Sequence, residues 1–564
     1  MTKKIIILFL FILTSFNRLI SQNLHLTITG RTKYETSVID SLNYLKKHPN
    51  FIALKNEVDS IQKKLNLQGY IENTHNDILK ENDSTFSTVF QLKNKYHRLY
   101  IYYKESDINK SILKKISQHV HPDYFVIDFS TVEKTLNYIN QNQTESGFPF
   151  SKLRLTKVVV RDETSLQAEL KTFTDSKKRS IDNIIIKGYE KFPESYLKHY
   201  LKIKTNRTFN LSEIKKKTAR LKNLRFTNET KPPEVLFTKD STTLYLYLEK
   251  TKSNTFDGFL GFGTNEDSNK LQFDGYLNLN LINNLNFGET LRLLYKSDEN
   301  EQQTFEANTS LPYLFKSPIG FDFLLRIFRK DSSFTTVNQS AKLHYQINPK
   351  HKIFSGITFT ESNNLLSENN ISTLTDYRTN YFTIAYEFIN SQSNSALFPV
   401  QSKYYLETNF GNRTQNNTKE QQSLFNLETF KIFNFNYRNC IYLRLTGSLL
   451  NSNNYLENEL MRFGGINSIR GFEENSIYAS LFSVLNTEYR YQLSNSIYIH
   501  SVTDLAYYQN KITESNEKLY SFGFGMAIIT KTGLLRLTYA NGKTENTPFK
   551  FSNSKIHISL NANF

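Results

Sequence analysis

Met461–Ser476 reads MRFGGINSIRGFEENS, a glycine-rich stretch with Arg470 near its centre, set between two long runs in which apolar and polar residues alternate. Gly464, Gly465 and Gly471 let the backbone turn tightly and come close to other groups. Ile466, Ile469 and Phe472 are ill suited to open water. The stretch therefore reads as a loop that tucks inward, and its surroundings must supply the cavity that receives it.

Outward from this loop, everything after about Thr255 consists of period-two runs joined by connections rich in Asn, Ser, Asp and Gly. Leu277, Leu279 and Leu281 alternate with Asn278 and Asn280, and Leu535, Leu537 and Tyr539 with Arg536 and Thr538. A helix would mix those faces, whereas a strand keeps them apart. Sixteen strands are expected, near 254–264, 269–283, 286–298, 300–312, 317–330, 333–347, 350–362, 376–389, 401–413, 420–436, 437–449, 477–494, 495–509, 518–530, 532–541 and 548–564. Each is long enough to cross a bilayer when tilted, and an even number suits a closed antiparallel barrel. In the last run Ile556, Ile558, Leu560, Ala562 and Phe564 form one apolar stripe, with Lys555, His557, Ser559, Asn561 and Asn563 opposite.

The segment Ile469-Arg470-Gly471-Phe472, preceded by Gly464, Gly465 and Ser468 and placed between the eleventh and twelfth runs, resembles the inward-folded sixth loop of the BamA/TamA-type outer-membrane assembly-factor superfamily. That resemblance implies that Glu488 and Asp504, on the twelfth and thirteenth strands, receive the Arg470 guanidinium. A planar fork pairs with carboxylates in a way lysine does not. It also implies a weak seam between first and last strands that opens sideways. Gly258, Gly261 and Gly263 in the first strand fit a weakened pairing, and Phe564 would end the last. The last strand departs from the pattern by having no glycine between Phe549 and Phe564.

Composition agrees with a barrel. Of 564 residues only 38% are hydrophobic, yet there are 34 Tyr and 44 Phe, as expected when one strand face meets lipid and the other water. Residues 1–21 carry Lys3 and Lys4, an apolar run from Ile5 to about Phe16 and then Ser21, the layout of a secretory signal peptide. The charge is lopsided: residues 1–250 hold 42 Lys and Arg against 26 Asp and Glu, the remainder 28 against 27. A basic arm thus precedes a near-neutral body.

Within the arm three segments share a strand-helix-helix-strand-strand order, giving expected units at 22–95, 96–178 and 179–252 before a barrel at 253–564 whose loop 450–476 folds inward. Leu54, Val58, Ile61 and Leu65 form one helical stripe in the first, and Val38, Leu42 and Leu45 another. Strands are expected near Tyr70 to Ile78 and Thr85 to Leu92. Ser130 and Glu133 suggest a capping box in the second unit. Pro193 opens a helix expected to bury Leu197 and Leu201 in the third. This order resembles the POTRA module that precedes the barrel in the same superfamily, whose free sheet edges bind extended clients. The fold class expected is α+β POTRA repeats followed by an all-β, sixteen-stranded transmembrane barrel.

The residues argue against an enzyme, a cofactor or a metal. Cys440 sits alone in an alternating run, no Cys/His cluster has ligand spacing, and His500 and Ser501 point to opposite faces of one strand. Gly261-Phe262-Gly263 and Gly523-Phe524-Gly525 lack the helix and lysine of a phosphate cradle. Scattered lysines without a binding motif, such as Lys215, Lys216 and Lys217, do not read as a nucleic-acid surface. The expected partners are unfolded outer-membrane or secreted clients, outer-membrane lipids, and a periplasmic or inner-membrane partner at the basic arm. A two-partner-secretion-type pore for one substrate and a passive pore are the competing readings.

Overall fold

The computed structural model describes residues 23–106, 108–173, 177–264, 271–297, 302–366, 374–392, 395, 397–530, 533–551 and 554–563. The expected signal segment 1–21 and Phe564 lie outside the described residues. Two compact units are present, one of residues up to Ser180 with Thr208–Leu211, the other holding the rest of the chain from Ile181.

In the first unit, strand Leu24–Gly30 pairs in parallel with Thr85–Gln91, so that Leu26, Ile28 and Phe90 meet the buried stripe Leu54, Val58, Ile61 and Leu65 of helix Phe51–Leu67. Helix Lys33–Ser41 starts on a true capping box between Thr32 and Glu35. It stops at Ser41, and Asn43 at φ 49° turns the chain, so Leu45 leaves the expected stripe and is 65% exposed. Instead of one strand from Tyr70 to Ile78 there are two short ones, Thr74–His75 and Leu79–Lys80.

The following module departs further from the expected order. Its first helix is a single turn, Lys110–Leu113, and a hairpin of His119–Val120 with Tyr124–Asp128 stands where the rest of a helix was expected. The Ser130–Glu133 capping box does not form. The chain enters helix Val132–Glu145 through a 3-10 turn, Phe129–Thr131, which the Thr131 hydroxyl closes by donating to the Asp128 carbonyl at 2.8 Å.

The second unit begins with a module whose strand Asn183–Lys187 runs parallel to Thr242–Lys250, with Thr227–Phe237 antiparallel on its other side. The helix expected after Pro193 is one wide turn, Tyr196–Tyr200, closed by Leu201 N donating to Tyr196 O at 2.9 Å. Widening the turn brings Tyr196 and Tyr200 inward with Leu201, while Leu197 stays only half-buried.

Those tyrosines dock the module on the barrel. Tyr196 Oη donates to Gly288 O (3.2 Å) and its ring meets Tyr313 edge-on at 5.0 Å; Tyr189 Oη donates to Asn286 Oδ1 at 2.8 Å. Gly288 has φ +77°, and a Cβ there would lie 2.0 Å from Tyr196 Cε2. Gly288→Ala is therefore expected to lift Tyr196 off the barrel, read as faster proteolysis of the 181–250 module in the folded protein. Unchanged cleavage would contradict this docking.

The barrel has sixteen antiparallel strands: Thr255–Thr264, Leu271–Ile282, Thr290–Ser297, Gln302–Leu311, Ile319–Lys330, Phe334–Asn348, His351–Asn364, Tyr377–Ser391, Val400–Gln415, Thr418–Asn434, Asn439–Asn451, Leu481–Gln492, Ile497–Asn510, Ser515–Ile529, Gly533–Thr544 and Ser554–Asn563. The eighth shows the two-sided wall plainly. Phe382, Ile384 and Tyr386 are 38–51% exposed, whereas Tyr381, Thr383 and Ala385 between them are buried. An apolar belt of this kind, continued by Tyr404, Leu406 and Phe410 on the next strand, belongs against hydrocarbon. No helix among the described residues is long and apolar enough to cross a membrane.

Among the described residues, first and last strands close the sheet on two residue pairs, Thr255 with Asn563 and Phe256 with Ala562. By comparison the second and third strands pair over eight positions, the ninth and tenth over fourteen. The joined end is the one beside the 181–250 module; towards the far end the described residues of the two edge strands are unpaired with each other.

Candidate functional site: the pinned loop and the seam

Between the eleventh and twelfth strands the chain enters the barrel lumen. A short hairpin, Met461–Phe463 with Ile477–Ala479, forms the stem. Phe463 stacks on Phe482 at 4.6 Å, and Phe463, Ile469 and Ala479 join Val484, Ala506 and Leu519 of the wall in one apolar cluster. Burying Ile469 completely is what draws the loop inward.

At its inner end Arg470 is held by both expected acids. Its Nε and Nη2 donate to Asp504 Oδ2 and Oδ1 at 2.8 and 2.6 Å, a bidentate fork, and Nη1 donates to Glu488 Oε1 at 2.5 Å. The Arg470 amide adds a fourth bond to Asp504 Oδ2 at 3.1 Å. All three residues are 5% exposed or less. A guanidinium so far from water is tolerated because its forked donors find carboxylate oxygens in the plane they require.

Glu488 is shared. Arg490, two residues on along the same lumenal face, donates from Nε and Nη2 to Glu488 Oε2, each at 2.7 Å, and its guanidinium lies 4.0 Å from the Tyr442 ring. Arg536 is held nearby by the Tyr498 hydroxyl at 2.9 Å. Sequence reasoning missed both arginines, although the i, i+2 spacing of Glu488 and Arg490 already put them on one face.

Gly471 makes the approach possible. It sits at φ +80°, and a Cβ would fall 2.5 Å from Gly542 N on the fifteenth strand. Gly542 is small for the reciprocal reason: its Cβ would meet Gly471 O at 2.7 Å and the Phe472 ring at 2.6 Å. Gly464 (φ +120°) and Gly465 (φ +89°) likewise lie directly against the returning Glu473 and Glu474.

The outer part of the loop has anchors that the sequence reading passed over. Arg413 on the ninth strand, nearly fully buried, is clamped between Glu420 and the loop's Glu459. Asn458 Nδ2 donates to Ser362 Oγ (2.8 Å) and Thr375 O (2.9 Å). Arg462 lies 4.5–4.7 Å from the rings of Phe328, Phe334 and Tyr478, a cation boxed by aromatic faces. The signal for Arg413 is a charged residue at lumenal parity near the end of its strand, opposite Glu420.

At the seam, Gly258, Gly261 and Gly263 are in full register with Leu277, Asp274 and Gln272 of the second strand. Gly258 admits that neighbour closely, since a Cβ would lie 2.5 Å from Tyr276 O. The glycines thus do not loosen the pairing with the second strand. What is short is the pairing on the sixteenth-strand side.

The chain thus joins an α/β module to a sixteen-stranded antiparallel barrel whose lumenal loop is pinned by an arginine. Residues 180–249 match the family model described as POTRA, surface antigen variable number repeat. The chain is similar in structure to CdiB from Escherichia coli, with 12% identity, 90% of this chain and 98% of that chain covered and a TM-score of 0.52. For CdiB from Acinetobacter baumannii the values are 14%, 91%, 99% and 0.50. For BamA from Haemophilus ducreyi lacking POTRA domains 1–3 they are 14%, 77%, 94% and 0.48. Comparison with curated protein sequences finds no match.

Proposed function

We propose that this chain resides in the outer membrane with its arm in the periplasm and assists insertion of other polypeptides through the seam of its barrel. It makes and breaks no covalent bonds. The observation that carries the reading is the two-pair closure between Thr255–Phe256 and Ala562–Asn563 in a wall otherwise joined over many more positions. Unpaired strand edges are templates for another strand, and an incoming client supplies one at little cost because few wall bonds need be broken first. Three arm modules suit a TamA-like member. Clients are unfolded outer-membrane proteins, the surrounding lipids are partners, and the basic arm offers a surface to an acidic periplasmic or inner-membrane protein.

A second reading, passage of one secreted substrate through the lumen, is favoured by a cavity of about 710 Å³ whose lining mixes uncharged polar groups such as Asn308, Asn338 and Thr358 with charged ones such as Glu306, Arg326 and Lys342. Depleting the protein and measuring the outer-membrane and secreted proteomes separates the two. Loss of many barrel proteins is the expected result. Loss of a single secreted protein would select the lumenal route, and unchanged proteomes would overturn both.

A further inference from the structure

We propose that Glu473 and Glu474 form an electrostatic clasp that holds the far end of the seam shut from inside the barrel. This regulation rests on the reading of the seam as the working site.

The two acids directly follow Arg470-Gly471-Phe472, so the latch sets where they lie. Glu473 Oε1 pairs with Lys555 Nζ on the sixteenth strand at 3.2 Å, and Glu474 Oε1 pairs with Lys296 Nζ on the third at 2.9 Å. Seen around the barrel, five residues of loop therefore reach from the twelfth and thirteenth strands, past Gly542 on the fifteenth, to the sixteenth and on across the seam to the third.

Lys555 lies where backbone pairing across the seam is missing, and Lys296 stands on the other side of the seam, two strands in and in line with Tyr276 and Phe259. Lys555 is the second residue of the sixteenth strand and Lys296 the last but one of the third, at the end away from the Thr255–Asn563 and Phe256–Ala562 pairs. His557, on the lumenal face of the sixteenth strand, lies in the electrostatic field of Glu474, Arg470, Lys555 and Lys296, which places all five groups in one cluster. The acids also have a built seat. A Cβ on Gly465 would lie 1.9 Å from Glu474 Oε2, and one on Gly464 2.4 Å from Glu473 O, so any side chain at either position would push them off.

Each pair keeps partial access to water. Their contribution is accordingly modest and screened by salt, which suits a contact that must let go when a client arrives. A backbone zipper would hold too tightly, and an unbridged edge would stay open to any passing strand.

The test uses the full chain in lipid nanodiscs, in a Cys440→Ser background, with spin labels on Phe262→Cys and Ile556→Cys across the far half of the seam. Distances are measured with and without Glu473→Gln and Glu474→Gln together, in low salt and in about 1 M KCl, where the Debye length is about 3 Å. The clasp predicts that neutralisation raises the open fraction by about threefold or more, that high salt does the same to the parent chain only, and that the paired reversal Glu473→Lys with Lys555→Glu restores closure. Equal distance distributions in parent and neutralised chains would overturn it. Client insertion is assayed in parallel: a seam that opens more in the variant without any change in insertion would leave the clasp standing and count against the insertion reading instead.

Discussion

Arg470→Ala is expected to free the loop from the lumen wall at a cost of about 3–5 kcal/mol of docking free energy, the range for stranding a buried charge. Asp504 bears most of it. Three bonds from Arg470 reach its carboxylate, and it is fully buried, whereas Glu488 keeps Arg490 when Arg470 is lost. The coupling of Arg470→Ala with Asp504→Ala should therefore exceed that with Glu488→Ala. Proteinase K cleavage within 461–476 of the folded barrel measures this, since the protease has no need of the arginine that is removed. Arg470→Lys should recover little, because one ammonium cannot reproduce a fork that spans two acids. Simple additivity of the Arg470 and Asp504 substitutions would show that the fork carries no energy of its own.

Gly471→Ala should be nearly as damaging although it adds one methyl group and no charge. At φ +80° an L side chain costs about 1–3 kcal/mol in backbone strain alone. The new Cβ would also meet Gly542 N at 2.5 Å and the Asn541 carbonyl carbon at 2.8 Å. Those are atoms of a hydrogen-bonded strand, so the loop must move rather than the wall. Gly542→Ala approaches the same contact from the other side, but one of its obstructions is the Phe472 ring, which can turn. The expected order of protease sensitivity is Gly471→Ala, then Gly542→Ala, then the parent. If Gly471→Ala protected the loop as well as glycine does, the close approach would not be what positions Arg470.

The barrel was legible because its signal has period two and repeats sixteen times; in the strand after Lys350, Ile353, Ile357 and Phe359 fall on one parity and Gly356, Thr358 and Thr360 on the other. The arm was legible where a helix is long enough to show a stripe, as in Leu54–Val58–Ile61–Leu65, and illegible where one turn does the work, as at Lys110–Leu113 and Tyr196–Tyr200. A single turn has no period to read. Leu201 is buried as expected, but Tyr196 and Tyr200 turn inward with it and Leu197 does not, because the turn is wide. At the site, Arg470 with Glu488 and Asp504 could be named through a family likeness, whereas Arg490's share of Glu488 is signalled only by their i, i+2 spacing on one strand. Of Arg413's two clamps, Glu420 is its cross-strand partner in one hairpin, but Glu459 depends on where a lumenal loop lies against a distant strand, and nothing local encodes that.

The two edge strands are the place where the latch, the clasp and the client would all act, and locking them is the most direct trial. Thr255→Cys with Asn563→Cys, in a Cys440→Ser background, puts two thiols at a directly opposed register pair, where antiparallel Cα separations of about 4.5–5.5 Å suit a disulfide. The rate at which the reconstituted protein speeds folding of an unfolded barrel client into liposomes is then compared oxidised and reduced. Loss of acceleration on oxidation and its return with reductant is the result expected of a working seam. Equal acceleration in both states would mean that clients never pass between these strands.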